Sequence, residues 1–320
     1  MDALKSIIKK TLVFKILIQF LNIFRDSLSF IYRGNLLGGF YWFYVRHKVS
    51  FFGNSAGSKF YDNYKLSAPL AKEGLMQINS LSKETVAKLE KLFLETQNYS
   101  SLEEFIHSKK KSNEVRPSGI SIALNEQMIN QVFEELDILP KVKEYLDLRE
   151  NEIYFAANID CLINVNETPE FEKRSISALE FHRDVDSLAF VKAFCYLSNI
   201  KQGCGEHQVL IGPHRKLPFD LRIIGRYYYN DILKKAPHLK LKPIYGASGY
   251  SWLEDTTLFH RGTVPTKDYR LMLGMSFHDA RSAKHMLGKF YYPLDPKLQK
   301  LKGLVNTKGI QMFDQYKLKN

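Results

Sequence analysis

The chain has 320 residues, of which 45% are hydrophobic and 25% are charged. This composition provides ample material for a packed core and excludes both a disordered chain and a polytopic membrane protein. The formal net charge of the chain is +12, and the positive charge is concentrated at the ends: residues 1–50 hold eight Lys and Arg against two acidic residues, and residues 281–320 hold nine against two. A near-neutral body with two basic ends does not predict nucleic-acid binding and is more typical of ends that meet an anionic membrane surface.

The three cysteines are odd in number and follow no disulfide framework or metal-binding spacing. Their number and spacing predict a reducing compartment and therefore a cytoplasmic location.

Residues 1–52 predict a basic segment that contains an amphipathic helix and an aromatic cluster. On a helix, the polar side chains between Thr11 and Asp26 form one narrow stripe, and apolar side chains cover the rest of the cylinder. Lys15 lies within the apolar run and disfavours a spanning helix. Three alternatives stay open: the helix lies in a membrane interface, packs on the body of the protein, or pairs with another copy of itself. The first alternative predicts a peripheral protein at the inner membrane face.

Residues 53–150 predict a helical layer packed on the core. Ser82 is a candidate N-cap for a helix that reaches Gln97, and the region 125–148 predicts helices that break near Pro140. The charge run Lys109-Lys110-Lys111-Ser112 predicts a solvated loop.

Residues 151–280 predict a mainly β domain. From Ile153 onward, apolar and β-branched runs alternate with turn residues, which is typical of a sandwich or barrel behind a helical layer. The segment at about 216–245 predicts an insertion, helical over 219–236. Residues 281–320 predict a basic C-terminal extension.

His182 and Asp184 form the first part of a possible metal site. An imidazole and a carboxylate two positions apart point the same way on an extended strand, and His260 supplies a second imidazole if the chain folds back. Two histidines and one carboxylate suit iron(II) with open coordination positions better than a closed structural zinc site. Asp186 is in phase with Asp184 and is the rival carboxylate.

Further motifs follow this pair in a fixed order along the chain. Over roughly residues 150–280, the sequence resembles the phytanoyl-CoA dioxygenase family of iron(II)- and 2-oxoglutarate-dependent oxygenases. The segments that carry the resemblance are Phe181-His182-Arg183-Asp184-Val185-Asp186, Phe190 to Ser198, Gly205, Gly212-Pro213-His214-Arg215, His260-Arg261-Gly262 and Arg270.

The resemblance implies a double-stranded β-helix core, the jelly-roll or cupin-like fold. It also implies that His182, Asp184 and His260 bind Fe(II), that Arg270 binds the distal carboxylate of 2-oxoglutarate, and that O2 is the second co-substrate. A guanidinium fork suits a carboxylate, and three protein ligands leave positions for a chelating 2-oxo acid and dioxygen.

Two more side chains are candidates for co-substrate binding. Thr263 is a possible second hydrogen-bond donor to 2-oxoglutarate. Lys192 alternates onto one face of its strand with Phe194 and Tyr196; if that face is inward, Lys192 needs an anion, which the co-substrate or the substrate could supply. The sequence has Pro213-His214 where the family has Ser-His, and this segment predicts a structural turn. Arg222, Arg226 and the tyrosines 227–229 form a possible lid.

The retained carboxylate of Asp184 favours hydroxylation over halogenation, since related halogenating enzymes have a small residue there. The predicted activity is therefore hydroxylation of a small-molecule, lipid or glycan-precursor substrate, with release of succinate and CO2. Two alternatives stay open: a non-catalytic binding module on the same fold, and a cupin-type metal enzyme that does not use 2-oxoglutarate.

Overall fold

A computed structural model of the chain describes residues 44, 67–112, 118–121, 124, 126–164, 179–184, 186–212, 217–222, 225–279 and 292–293. The predicted N-terminal helix and nearly all of the predicted C-terminal extension lie outside these residues. Within the described ranges, no helix combines the length and the apolar character needed to cross a bilayer.

Helices predominate between residues 67 and 152 of the described chain. They are α1 (Ala68–Glu73), α2 (Lys83–Thr96), α3 (Leu102–Lys111), α4 (Glu126–Leu136) and α5 (Leu139–Leu146), followed by a 3-10 turn (Glu150–Glu152) and, later, α6 (Phe219–Arg222) and α7 (Tyr229–Lys235). Ser82 caps α2 as predicted, because its Oγ accepts a hydrogen bond from the Thr85 amide at 3.2 Å.

The sequence predicted a loop at 109–112, and this prediction was wrong. Lys109–Lys111 form the last turn of α3, which begins after the N-cap Ser101. Phe105 anchors this helix by packing edge to face on Phe93, with ring centroids 5.1 Å apart. Lysines at a helix C-terminus are favoured by the helix dipole, so this charge run is compatible with a helix end.

The strands form two antiparallel sheets. They are β1 (Leu75–Gln77), β2 (Ser118–Ser121), β3 (Ile153–Ile163), β4 (Phe190–Tyr196), β5 (His207–Ile211), β6 (Lys240–Ile244), β7 (Ser251–Glu254), β8 (His260–Gly262), β9 (Tyr269–Asp279) and β10 (Tyr292–Pro293). The larger sheet has the order β1-β7-β4-β9-β3-β10, with β2 also paired to β3, and the smaller sheet has the order β6-β5-β8.

From β3 onward, the chain passes repeatedly from one sheet to the other, which is the pattern of a double-stranded β-helix. After β3, the chain crosses to the smaller sheet at Phe181 and His182, where His182 pairs with His260 of β8. It returns to the larger sheet in β4 and then forms β5 and β6 in the smaller sheet. It next enters the larger sheet in β7, the smaller sheet in β8 and the larger sheet again in β9. The predicted fold class, mainly β with flanking helices around a jelly-roll core, is confirmed.

Three apolar clusters hold these layers together. The largest packs the helices against the outer face of the larger sheet, through residues such as Val132, Tyr145 and Phe277. The second lies between the sheets and includes Trp252. The third covers the outer face of the smaller sheet and includes Ile232 of α7. The space between the sheets also contains the polar residues described next.

Candidate metal centre

His182 and His260 are joined by their backbones. The amide of His182 donates to the carbonyl oxygen of His260 at 3.1 Å, and the amide of His260 donates to that of His182 at 3.0 Å. Residues paired directly across antiparallel strands project to the same side. The two imidazole rings therefore lie beside each other, with centroids 4.3 Å apart.

Each histidine is oriented by a carbonyl two residues before it. Nδ1 of His182 lies 2.8 Å from the oxygen of Glu180, and Nδ1 of His260 lies 3.0 Å from the oxygen of Leu258. A carbonyl can only accept a hydrogen bond, so Nδ1 carries the proton in both rings. The Nε2 lone pairs are left for another partner, which is the arrangement of histidines that ligate a metal.

Asp184 completes the group. Its backbone amide donates to the carbonyl oxygen of Thr256 at 2.8 Å. The carboxylate oxygens lie 3.9 Å from Nε2 of His182 and 3.5 Å from Nε2 of His260. One ligand atom from each of the three residues lies within 4.8 Å of the others, so a single ion can contact all three. The structure thus brings together the three predicted ligands.

The protonation states of His182 and Asp184 favour metal binding. Burial and the neighbouring His260 lower the pKa of His182 to about 3, so this imidazole is neutral at physiological pH. Burial alone would raise the pKa of Asp184, but the Lys192 ammonium beside it holds that pKa well below its usual value. A neutral imidazole and an ionised carboxylate are the protonation states that bind metals.

Lys192 lies on the inward face of β4, as the strand alternation allowed. Its Nζ is 2.6 Å from Oδ2 of Asp184 and 2.8 Å from Oδ2 of Asp186. Burial works to lower the pKa of Lys192, but the two carboxylates outweigh it and raise that pKa. The anions beside this lysine in the structure are protein carboxylates, and a role in binding the co-substrate stays a prediction.

Arg270 projects between the sheets and is 1% exposed. Its Nη1 donates to the carbonyl oxygen of Gly205 at 2.9 Å, and its Nη2 donates to Oδ2 of Asp160 at 3.1 Å. Its Nε is buried and has no hydrogen-bond partner among the described residues. The guanidinium lies against Gly262, where a Cβ would be 3.0 Å from Nη1. Since Gly262 and His260 share one face of β8, Arg270 and the metal group face the same interior space.

The other candidates occupy the edges of this space. Thr263 donates its hydroxyl to the carbonyl oxygen of Glu206 at 3.2 Å, so its role toward 2-oxoglutarate stays a prediction. Arg261 points away from His260, as the strand alternation predicts, and its guanidinium stacks on the Phe181 ring at 4.4 Å. Tyr229 stacks on the same ring. The Pro213-His214 turn lies outside the described residues.

A buried cluster beside His260 was missed at the sequence level. The ring of His207 stacks on that of His260 with centroids 5.6 Å apart, and its Nε2 lies 3.0 Å from Glu254. Trp252 also donates to Glu254, at 3.0 Å. Burial raises the pKa of Glu254, but His207 and His260 more than offset it, so this fully buried carboxylate is ionised. Burial lowers the pKa of His207, and the neighbouring Glu254 works against that shift.

One signal could have identified part of this cluster. Strand alternation places Trp252 and Glu254 on the same face of an otherwise apolar strand. A carboxylate at such a position requires a buried partner.

Comparisons with known proteins give a likeness in fold at low identity. No family model and no curated protein matches the chain. Among solved structures, it is similar to the non-heme α-ketoglutarate dependent carbocyclase SnoK from nogalamycin biosynthesis, at 14% identity and a TM-score of 0.40, covering 78% of this chain and 93% of that one.

Two further solved structures are similar to the chain. One is EctD from S. alaskensis with 2-oxoglutarate and 5-hydroxyectoine, at 15% identity and a TM-score of 0.46, covering 72% of this chain and 79% of that one. The other is AviO1 from Streptomyces viridochromogenes Tue57, at 12% identity and a TM-score of 0.42, covering 70% and 97%. Similarity at this level assigns no activity, and membership of the phytanoyl-CoA dioxygenase family stays a prediction.

Proposed function

We propose that this protein is an Fe(II)- and 2-oxoglutarate-dependent oxygenase that uses O2 and hydroxylates its substrate. In this proposal, His182, Asp184 and His260 bind the iron, and Arg270 binds the distal carboxylate of 2-oxoglutarate. The observation that carries it is the convergence of two imidazole Nε2 atoms and one carboxylate on a point between the sheets of a jelly roll.

The donor set and its surroundings fit a divalent cation. Two imidazoles and one carboxylate with further positions open form the arrangement typical of non-heme iron(II) oxygenases. The charge nearby favours a cation as well. Asp184, Asp186 and the buried Glu254 contribute three carboxylates around this space, and Lys192 contributes one ammonium. A bound divalent ion would balance this excess of negative charge.

The environment of Arg270 fits a carboxylate ligand. Two of its nitrogens are fixed by Asp160 and the Gly205 carbonyl, whereas the buried Nε has no partner in the part of the chain that the structure describes. An unpaired buried donor is costly unless a ligand satisfies it. The absent side chain at Gly262 leaves the guanidinium open towards the strand that carries His260. These features support a role for Arg270 in holding an anionic co-substrate.

Iron and 2-oxoglutarate, when bound, would supply the oxidising chemistry in which O2 is consumed, succinate and CO2 are released, and a C–H bond of the substrate is hydroxylated. The chain itself orients the ligands through the carbonyls of Glu180 and Leu258. It also excludes water from the inner half of the site, because the side chains of His260 and Arg270 are 6% and 2% exposed.

The exposure of the ligands indicates where a substrate enters. The side chains of His182 and Asp184 are each 19% exposed, so the site opens on their side. The aromatic group of Phe181, Tyr227 and Tyr229 lies next to His182 on the outer face of the smaller sheet. We propose a small-molecule, lipid or glycan-precursor substrate that enters on the side of His182 and Asp184.

We also propose that the protein is cytoplasmic and that residues 1–50 associate with an anionic membrane surface. The support is the excess of Lys and Arg and the amphipathic pattern in this segment. Co-sedimentation with vesicles containing anionic lipid is expected for the full chain and not for a chain lacking residues 1–50. Equal binding by both would contradict the proposal.

Turnover of 2-oxoglutarate tests the enzymatic proposal. Succinate release and O2 consumption should occur with Fe(II) and should be stimulated by pools of candidate substrates. His182→Ala and Asp184→Ala should abolish both, while Lys242→Met on the exposed strand β6 should retain them. Full turnover in either ligand variant would show that the assignment is wrong.

A further inference from the structure

Lys192 is held between two carboxylates, only one of which belongs to the predicted metal group. Its Nζ contacts Oδ2 of Asp184 at 2.6 Å and Oδ2 of Asp186 at 2.8 Å, and its side chain is 15% exposed. Asp184 and Asp186 therefore present oxygen atoms to the same nitrogen. Asp186 thus shares the lysine with the metal group but lies outside the three residues whose ligand atoms converge.

The position of Lys192 is fixed by the larger sheet. It lies in the middle of β4, directly opposite Ser276 of β9 on one side and Glu254 of β7 on the other. Neighbours across paired strands project to the same face, so Lys192 and Glu254 both enter the space between the sheets. The ammonium therefore approaches Asp184 and Asp186 from a rigid, central strand and not from a loop.

Two neighbouring carboxylates behave differently with and without this cation. Without it, the Asp186 side chain loses the contact that holds it beside the lysine and can turn towards the ion, and hard divalent cations favour additional carboxylate oxygens. With it, Oδ2 of each carboxylate already accepts a short, charge-assisted hydrogen bond. The lysine thus reduces the number of oxygens offered to an ion, and its like charge disfavours a cation bound beside it.

We propose that Lys192 is a positioning residue that restricts the metal to one oxygen of Asp184 and withholds Asp186, so that coordination positions stay open for the co-substrate. This inference rests on the proposed function. It assigns Lys192 a task distinct from binding 2-oxoglutarate, and it explains how a site with two nearby carboxylates can work as a site with one.

The test compares metal affinity and co-substrate affinity in the same variants. Co(II) serves as an oxygen-stable probe for metal affinity and for its visible ligand-field spectrum, and 2-oxoglutarate is then titrated into the metal-loaded protein. In Lys192→Met, we expect Co(II) to bind at least about tenfold more tightly, with an altered spectrum. We expect 2-oxoglutarate to bind at least about tenfold more weakly, because Asp186 fills a position that the co-substrate needs.

The double variant Lys192→Met with Asp186→Asn is the decisive control. Removing the competing carboxylate should restore the spectrum and bring the affinity for 2-oxoglutarate back to within about threefold of the wild type. The matched variant Lys242→Met, at an exposed lysine of β6, should change neither affinity. If Lys192→Met does not fold, as judged by thermal unfolding, Lys192→Gln removes the charge with a polar side chain and is expected to give the same pattern.

Other outcomes overturn the inference. Unchanged Co(II) affinity, together with a loss of 2-oxoglutarate binding that Asp186→Asn does not restore, would show that Lys192 contacts the co-substrate directly. Weaker Co(II) binding would show that the lysine only supports the fold of the site. A wild-type protein that binds Co(II) but never 2-oxoglutarate would refute the proposed function, while the Co(II) affinities and spectra would still decide the role of Lys192.

Discussion

The hydroxyl of Tyr145 in α5 donates a hydrogen bond of 2.6 Å to Oδ2 of Asp255, which follows β7. The other carboxylate oxygen of Asp255 accepts from the amide and the hydroxyl of Thr257. This turn leads directly into β8, where His260 begins the strand. One buried carboxylate therefore ties the helical layer to the segment that positions a metal ligand.

Replacing Tyr145 with Phe should lower the free energy of unfolding by about 1.5–3 kcal/mol, because it removes a hydrogen bond to a buried charged group. Urea denaturation of the metal-free protein measures the change. Tyr99→Phe is the matched control: its hydroxyl meets Ser108 at a half-buried site, and we expect a loss of about 1 kcal/mol or less. Equal losses in the two variants would argue against a special role for the Tyr145 contact.

The ion pair between Arg270 and Asp160 separates stability from function. Arg270→Met should destabilise the fold by about 3–5 kcal/mol, because it leaves Asp160 buried without its charged partner. Adding Asp160→Leu should recover most of that stability, since a buried pair can be replaced by apolar residues. Binding of 2-oxoglutarate should stay lost in both variants. If the stable double variant still bound it, Arg270 would not be the carboxylate-binding residue.

Gly262 provides a conservative test of the same region. In Gly262→Ala, the new Cβ would lie 3.0 Å from Nη1 and 3.3 Å from Nη2 of Arg270, so the guanidinium must shift. We expect the KM for 2-oxoglutarate to rise about tenfold while the affinity for the metal stays the same. Gly225→Ala is the control, since its nearest neighbouring atoms are 3.7–4.0 Å away. A fall in metal affinity in Gly262→Ala would indicate that β8 itself had moved.

The metal-free protein should lose stability as the pH falls from 7 to 5. Burial lowers the pKa of both His182 and His207, so below about pH 6.5 the unfolded chain binds protons that the folded chain does not. Each histidine then contributes a loss of up to about 1.4 kcal/mol per pH unit. Urea titrations at several pH values measure how steeply the free energy of unfolding changes with pH. His207→Gln should remove one proton from the difference in proton binding between the unfolded and the folded chain. A stability that rises on acidification would contradict these pKa directions.

Much of the scaffold could be predicted from the sequence because it depends on local patterns. The cap at Ser82 and the strand alternation in β4 both follow from neighbouring residues, and the structure confirms them. The predicted helix break near Pro140 falls at Asp137 and Ile138, and the proline lies in the first turn of α5, where its missing amide costs nothing. The loop predicted at the lysine run of α3 was wrong, because charge alone does not reveal that Phe105 anchors the helix.

Contacts between distant strands could not be predicted in the same way. The spacing of His182 and Asp184 suggested a metal site, but the pairing of Lys192 with Asp186 depends on how β4 lies beside the segment before it. The stacking of His207 on His260 depends on the register between β5 and β8. A single sequence contains no direct record of such registers, so the polar network around the ligands emerged only from the fold.

Anaerobic titration of Fe(II) and then 2-oxoglutarate into the protein tests the central claim most directly. A chelating 2-oxo acid on iron(II) gives a visible charge-transfer band. We predict that this band develops with the wild type, saturates at one 2-oxoglutarate per chain, and is absent in Asp184→Ala. A folded wild-type protein that binds Fe(II) through these residues but gives no band at saturating 2-oxoglutarate would contradict the assignment.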